Sequence, residues 1–286
     1  MPVPHSGDEN REPPGDRSSL ATILVSTDRQ YFQLGAKRSV ASGLELLYMP
    51  GRESTPSGAV VWGLESEKGP LPLQERLRST EAELSRLGGR VLRIYMRDPV
   101  RTRVADTLLE RGYVRRREIA VLAPLPRVLE RAGQEDEHEL EWKEVVSDEH
   151  WAQKVHLHAA AAGQADGYEA SARQWVGVER TKCATGGMRC FLVLRDASPV
   201  AAVGLMGSGG VARLKNLYVH PDARRSGVGL ATVFLLAREA ARGDYGHFGT
   251  FAVEGGGAIH VYGRAGLEPV ASVTEFSTDL SASRPG

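Results

Sequence analysis

From residue 140 onward the apolar positions change period repeatedly, and each change marks an element. LEWKEVV (140–146) alternates apolar and polar, as a half-buried strand does. DEHWAQKVHLHAAAA and YEASARQWVGVERTK space their apolar residues as helices. CFLVLRD and PVAAVGLMGS read as two strands joined by a short Ala-Ser hairpin connection, and VARLKNLYV as a third. A glycine-bearing turn then leads into the helix LATVFLLAREAAR. HFGTFAVE is a strand, AIHVYGRAG a short helix and EPVASVTEFST a closing strand. Helices packed on a mixed sheet are the architecture this order predicts.

The second half of that order recurs upstream. LELLYMP and GAVVWGLES read as strands and PLQERLRSTEAELSRLGG as a helix closed by glycines. RVLRIYMRD is a strand, PVRTRVADTLLERGY a helix with Pro99 near its first turn, and RREIAVLAP a strand. LLERGYVRRREIAVL occupies the place that VYGRAGLEPVASVTEF occupies later, so the pattern points to an internal duplication. The charged stretch PRVLERAGQEDEH separates the halves. The expected division is a disordered tail over 1–18, a first domain over 19–126, a linker over 127–137, a second domain over 138–280 and a tail over 281–286.

Composition narrows the function. The 286 residues include 36 Lys plus Arg against 36 Asp plus Glu, and the resulting zero net charge disfavours nucleic acid as a partner. Cys183 and Cys190 are too few for a disulfide framework and fit no familiar zinc spacing, so they read as reduced structural thiols. No apolar run is long enough to span a bilayer, and the first residues lack the apolar core of a signal peptide. No membrane partner and a cytoplasmic location are the expectation. His150, His156 and His158 lack the i, i+4 spacing of a helical metal pair, so no metal is expected.

The chemistry concentrates in LKNLYVHPDARRSGVG (214–229), where a strand hands over to a helix through two arginines and two glycines. A helix start offers unpaired N–H groups and partial positive charge, and glycine lets backbone approach an anion closely. A nucleotide P-loop would need Gly-Lys-Ser/Thr, which is missing, and a dinucleotide fingerprint would need a third small residue where Thr232 stands. RRSGVG instead matches Arg/Gln-x-x-Gly-x-Gly/Ala. With the strand before it and AIHVYGRAGLEPV after it, the chain resembles the GNAT superfamily of acyl-CoA-dependent N-acyltransferases over about residues 138–278.

The resemblance implies an α/β fold of two GNAT-like domains, each a twisted mixed sheet flanked by helices, with only the C-terminal one complete. It implies acetyl-CoA as co-substrate, bound through Leu217, Tyr218 and Val219 of a splayed strand. Arg224, Arg225, Ser226, Gly227, Val228, Gly229 and Leu230 would hold its pyrophosphate. Tyr262 corresponds to the tyrosine that protonates the departing thiolate. The expected reaction is acetyl transfer to a primary amine of a small molecule by direct attack in a ternary complex. Alternatives are a non-catalytic acyl-CoA-binding regulatory module, O-acylation, or a longer acyl donor.

Two departures from the family pattern matter. The glutamate often used as base falls, counting eleven positions back from Arg224, on Arg213, whose guanidinium stays protonated. Arg213 could bind a substrate carboxylate instead, or pair with a local acid. Glu254, ending a strand beside the cofactor strand, is an alternative base. The asparagine often found seven positions before the tyrosine is Gly255 here. Trp151, Tyr168 and Trp175 either line the acceptor pocket or pack in the core. The first half, with only EKGPLP before its helix, has no counterpart of RRSGVG, so one working site per chain is expected. That half could complete the sheet, cover the acceptor cleft or supply a homodimer surface.

Overall fold

The computed structural model describes residues 16–55, 58–62, 64, 71–134, 140–162 and 168–280. The first half contains α1 (Asp16–Gln33), β1 (Lys37–Ala41), β2 (Leu44–Tyr48), β3 (Ala59–Trp62), α2 (Leu73–Arg86), β4 (Val91–Arg97), α3 (Thr102–Glu110) and β5 (Val114–Pro124). Helix α4 (Leu125–Ala132) follows directly. The second half contains β6 (Glu141–Glu144), α5 (Asp148–Ala162), α6 (Tyr168–Ala184), β7 (Arg189–Arg195), β8 (Ser198–Ser208) and β9 (Val211–Val219). Then come α7 (Val228–Ala240), β10 (His247–Val253), α8 (Ala258–Arg264) and β11 (Glu268–Asp279).

All strands join one sheet in the order β1-β2-β3-β4-β11-β5-β10-β9-β8-β7-β6. Read outward from the central β11–β5 pair, its pairing types match on both sides, and the second half carries one further antiparallel strand at its edge. β3 and β4 run parallel, as do β10 and β9, because each pair is bridged by a crossover helix. At the centre the halves trade their last strands. β5 of the first half pairs antiparallel with β10, and β11 of the second pairs antiparallel with β4. A boundary at 127–137 therefore divides the sequence into two repeats, but not the sheet into two domains.

The packing is shared in the same way. Val121 and Ala123 of β5 lie in one core cluster with Leu230, Phe234, Phe248 and Tyr262 of the second half. Tyr31 and Phe32 of α1 share another with Trp151, Val155 and Leu192. Helix α7 is apolar on several sides because it lies between the sheet and α4. Val233, Phe234 and Leu236 are buried there, each contributing roughly 1.5–3 kcal/mol by the usual transfer scale.

Three features differ from the sequence expectation. Residues 16–18 begin α1 rather than ending a tail; the rest of both expected tails, 1–15 and 281–286, lies outside the described residues. Residues 127–132 of the expected linker belong to α4, whose Leu125, Val128 and Ala132 are buried, and 135–137 lie outside the described residues. Strand β1 adds an edge before β2. Cys183 and Cys190 are free thiols whose sulfur atoms lie 3.5 Å apart. Among the described residues, no helix is long and apolar enough to cross a membrane.

Candidate functional site

β9 and β10 pair only where Val211, Ala212 and Arg213 meet His247, Phe248 and Gly249. Beyond that point β10 stays with β5 as far as Val253, while β9 stays with β8, so the two parallel strands part. The register of β8 against β9 slips between Ala202 and Gly204, and Asn216 takes a left-handed φ of 52°. Such a bulge re-aims the residues after it, here Leu217, Tyr218 and Val219, along the opening.

The apex of the opening is closed by side chains. Thr250 Oγ1 donates to the Leu214 carbonyl at 3.0 Å, bridging the strands just past their last pair. The Tyr262 hydroxyl shares a hydrogen bond with Thr250. Tyr262 is 4% exposed, and burial pushes its phenol up to about 12. It remains a proton donor throughout the neutral range.

The loop after β9 positions the start of α7. His220 Nδ1 accepts from the Asp222 N–H at 3.3 Å, and Pro221–Ala223 form a single 3-10 turn. Arg225 and Gly227 then adopt left-handed φ of 62° and 84°, and Gly227 caps α7. The first turn of α7 holds no acid, and its first hydrogen bond runs from the Ala231 N–H to the Gly227 carbonyl at 3.0 Å. The N–H groups of Val228, Gly229 and Leu230 precede that bond, as at any helix start. The Val228 and Leu230 side chains are buried beneath them. Ser226 Oγ donates to the Ala223 carbonyl at 2.8 Å and holds the turn. Arg224 braces it: Nε donates to the Val219 carbonyl at 3.3 Å, and Nη2 donates to the Ala161 carbonyl. Arg225 is exposed. Together these groups suit a bound pyrophosphate, with backbone and helix start as principal donors and Arg225 as the cation facing solvent.

Of the two readings of Arg213, the structure shows the pairing with a local acid, and it places Glu254 at the surface. Arg213 is 1% exposed, its Nη1 donating to Thr27 Oγ1 at 2.7 Å and its Nη2 to Asp28 Oδ1 at 2.5 Å. The carboxylate it binds belongs to the chain's own α1, because a guanidinium this buried requires a counter-ion. Burial alone would raise the Asp28 carboxyl, but Arg213 and Lys215 outweigh it and hold the group below the ordinary range. Glu254 is half exposed and pairs with Arg117 Nη1 at 2.6 Å, while Arg117 Nε reaches Asp98 at 2.8 Å. That ion-pair chain lies on the surface, where Glu254 accepts hydrogen bonds from an arginine that is always charged.

A cavity of about 280 Å³ opens beside the bulge, between the halves. Lys215, Asn216 and Tyr218 of β9 form one side, and Arg93 of β4 with Arg116 and Glu118 of β5 form another. Tyr168 and Trp175 line it too, whereas Trp151 is buried in the core under Arg180. Glu118 is the acid in this cavity that sequence reasoning missed. Burial pushes its carboxyl above the ordinary range, against the pull of Lys215. It stands opposite Val253 of β10, three residues beyond Thr250. Its signal in the sequence was an acid amid the apolar alternation of REIAVL; the strand exchange that carries it across left none. His158 is buried, which holds its imidazole below the ordinary value and neutral. Among the described residues, no group of three or more His, Cys, Asp or Glu is arranged to hold a metal ion.

No protein-family model matches the chain, and no curated protein matches it. Solved structures do. A GCN5-related N-acetyltransferase from Kribbella flavida is 18% identical, covering 91% of this chain and 95% of that one, with a TM-score of 0.61. A tandem GNAT protein from the clavulanic acid biosynthesis pathway is 14% identical, covering 97% and 90%, with a TM-score of 0.56. A functionally unknown conserved protein from Staphylococcus epidermidis is 11% identical, covering 86% and 95%, with a TM-score of 0.67. At these identities the likeness speaks for the fold: the chain has the fold of the GNAT superfamily, in tandem.

Proposed function

We propose that the second half is an acyl-CoA-dependent N-acyltransferase that moves an acetyl group from acetyl-CoA to a primary amine of a small molecule. The observation that carries this is a coincidence at one point: the strands part where a buried, protonated Tyr262 is held by Thr250. When bound, acetyl-CoA supplies a thioester as acyl donor. The backbone of Leu217, Tyr218 and Val219 offers that donor's arm an unpaired strand edge, and the Leu217 N–H is placed to stabilise charge on its carbonyl oxygen. The N–H groups around Gly227 and Val228, with Arg225, hold the pyrophosphate. Tyr262 Oη gives the departing sulfur its proton, which a phenol can do only when positioned. No paired nucleophile and base suggests a covalent enzyme intermediate, so the amine attacks directly while both substrates are bound.

The test is release of free thiol from acetyl-CoA with a panel of small primary amines, for wild type and Tyr262→Phe. Wild type turns over at least one amine, and Tyr262→Phe lowers kcat by about 100-fold with little change in donor KM. Equal rates for the two proteins would remove the tyrosine from the chemistry, and no turnover with any amine would contradict the proposal.

A further inference from the structure

The cavity between the halves has two kinds of wall. One is aromatic, formed by His158, Tyr168, Trp175 and Tyr218. His158 packs edge-on against Tyr218 at 4.3 Å. The other is charged, with Arg93, Arg116 and Lys215 opposed to Glu118 and Glu275. Behind Lys215 lie Asp28, at 3.4 Å, and Arg213 paired to that same carboxylate. Four cations thus meet three carboxylates, with Arg93 largely buried and Arg116 about half exposed.

The arginines are also incompletely held. Arg93 Nε is buried without a hydrogen-bond partner, its nearest carboxylate oxygen, Glu275 Oε1, being 3.4 Å away. Its Nη1 reaches the Tyr95 hydroxyl only at 3.4 Å, and that hydroxyl already donates to Glu275 at 2.6 Å. Arg116 approaches Glu118 only to 3.5 Å. These are not the short paired bonds of a guanidinium satisfied by carboxylate. Donors left open in this way suit a further carboxylate.

We propose that the acceptor is a small amino acid, with its amine at Glu118 and its carboxylate at Arg93 and Arg116. This rests on the acyltransferase reading above. The carboxylate of a bound zwitterion would take the open guanidinium donors, while its ammonium faces Glu118. An amine without an anion would leave those donors open. An apolar side chain fits the aromatic wall.

The proton balance closes with groups already placed. The ammonium loses two protons as the C–N bond forms and the C–S bond breaks. Glu118 takes the one that frees the lone pair and passes it to water. The other restores Tyr262 Oη after that hydroxyl has protonated the sulfur. Glu118 does this among Arg116 of its own strand, Arg93 of β4, Glu275 of β11, Lys215 of β9, Asp28 of α1 and Tyr262 of α8.

The experiment is a calorimetric titration of the full chain, without donor, using phenylalanine, 2-phenylethylamine and 3-phenylpropionate, then leucine and its decarboxylated amine. Thiol-release rates with acetyl-CoA follow on the same panel. The amino acids are expected to bind at least about tenfold more tightly than their amines. Arg116→Ala, at a half-exposed position, should reduce that ratio to about threefold or less without shifting the melting temperature. Glu118→Gln should lower kcat/KM by about 100-fold and remove the acid limb of its pH profile. Amines binding as well as amino acids, or an unchanged ratio in Arg116→Ala, would overturn the inference. Turnover of carboxylate-free amines alone would sink the amino-acid acceptor and leave the acyltransferase standing. Amino-acid preference with no acetyl-CoA turnover would do the reverse.

Discussion

The two repeats share a skeleton and differ at a few groups. In both, parallel strands pair briefly and then part, after Val61 and Ile94 in the first half and after Arg213 and Gly249 in the second. The next residues decide what each opening can hold. In the first half they are Trp62 and Tyr95, whose rings stack across the gap at 5.9 Å with Phe32 against Tyr95. In the second they are Leu214 and Thr250, joined by one hydroxyl–carbonyl bond. The helix starts differ as well. α2 is capped by Pro72 and carries Glu75 in its first turn, a charge that repels phosphate. α7 is capped by left-handed Gly227 and carries no acid there. The hydroxyl is also lost from the first half. The Tyr113 N–H bonds the Leu108 carbonyl at 3.0 Å, just as the Leu267 N–H bonds the Tyr262 carbonyl at 3.0 Å, so Leu108 stands where Tyr262 does. A ring stack, a proline and a leucine set the first half's opening apart from the second's.

The first half lends the second its counter-ion. Asp28→Ala leaves Arg213 buried and unpaired, and should cost about 3–5 kcal/mol in urea unfolding. The folded Asp28 carboxyl lies below its ordinary value, so the unfolded chain takes up the proton first as pH falls. Its contribution is full above the ordinary aspartate value, falls below it and vanishes once the folded carboxyl is protonated too. The gap between wild type and Asp28→Ala should therefore narrow as the pH falls below the ordinary aspartate value. A gap independent of pH would mean that the pair does not hold β9.

A smaller effect follows from unplugging the first opening. Trp62→Ala should destabilise by about 2–3 kcal/mol, since half-buried Trp62 loses its stack on Tyr95. It should create no second acetyl-CoA site, because Pro72 and Glu75 remain at the helix start. A second site in this variant would show that the ring stack alone silences the first half.

Much of the second half was legible in the sequence, because its strands alternate or run apolar and its helices keep their stripe. Helix α1 was not. Its buried stripe runs through Leu20, Leu24, Thr27, Asp28 and Tyr31, and the two polar members broke the pattern. They are polar because Arg213, 185 residues from Asp28, needs them. Helix α4 was masked by the charges around Leu125, Val128 and Ala132. The exchange of β5 and β11 left no local trace, since a strand alternates in the same way whichever neighbour it pairs with. For that reason Gly227 and Tyr262 could be found by motif, while Glu118 and Arg93 required the fold.

The central claim is that one chain carries one working cofactor site, in its second half. Calorimetric titration with acetyl-CoA of wild type and Gly227→Glu tests it most directly. That substitution places a side chain at a φ of 84° and a carboxylate at the helix start. The account predicts one site per chain in wild type and at least a 100-fold loss of affinity in the variant. Two sites in wild type, or unchanged binding in Gly227→Glu, would contradict it.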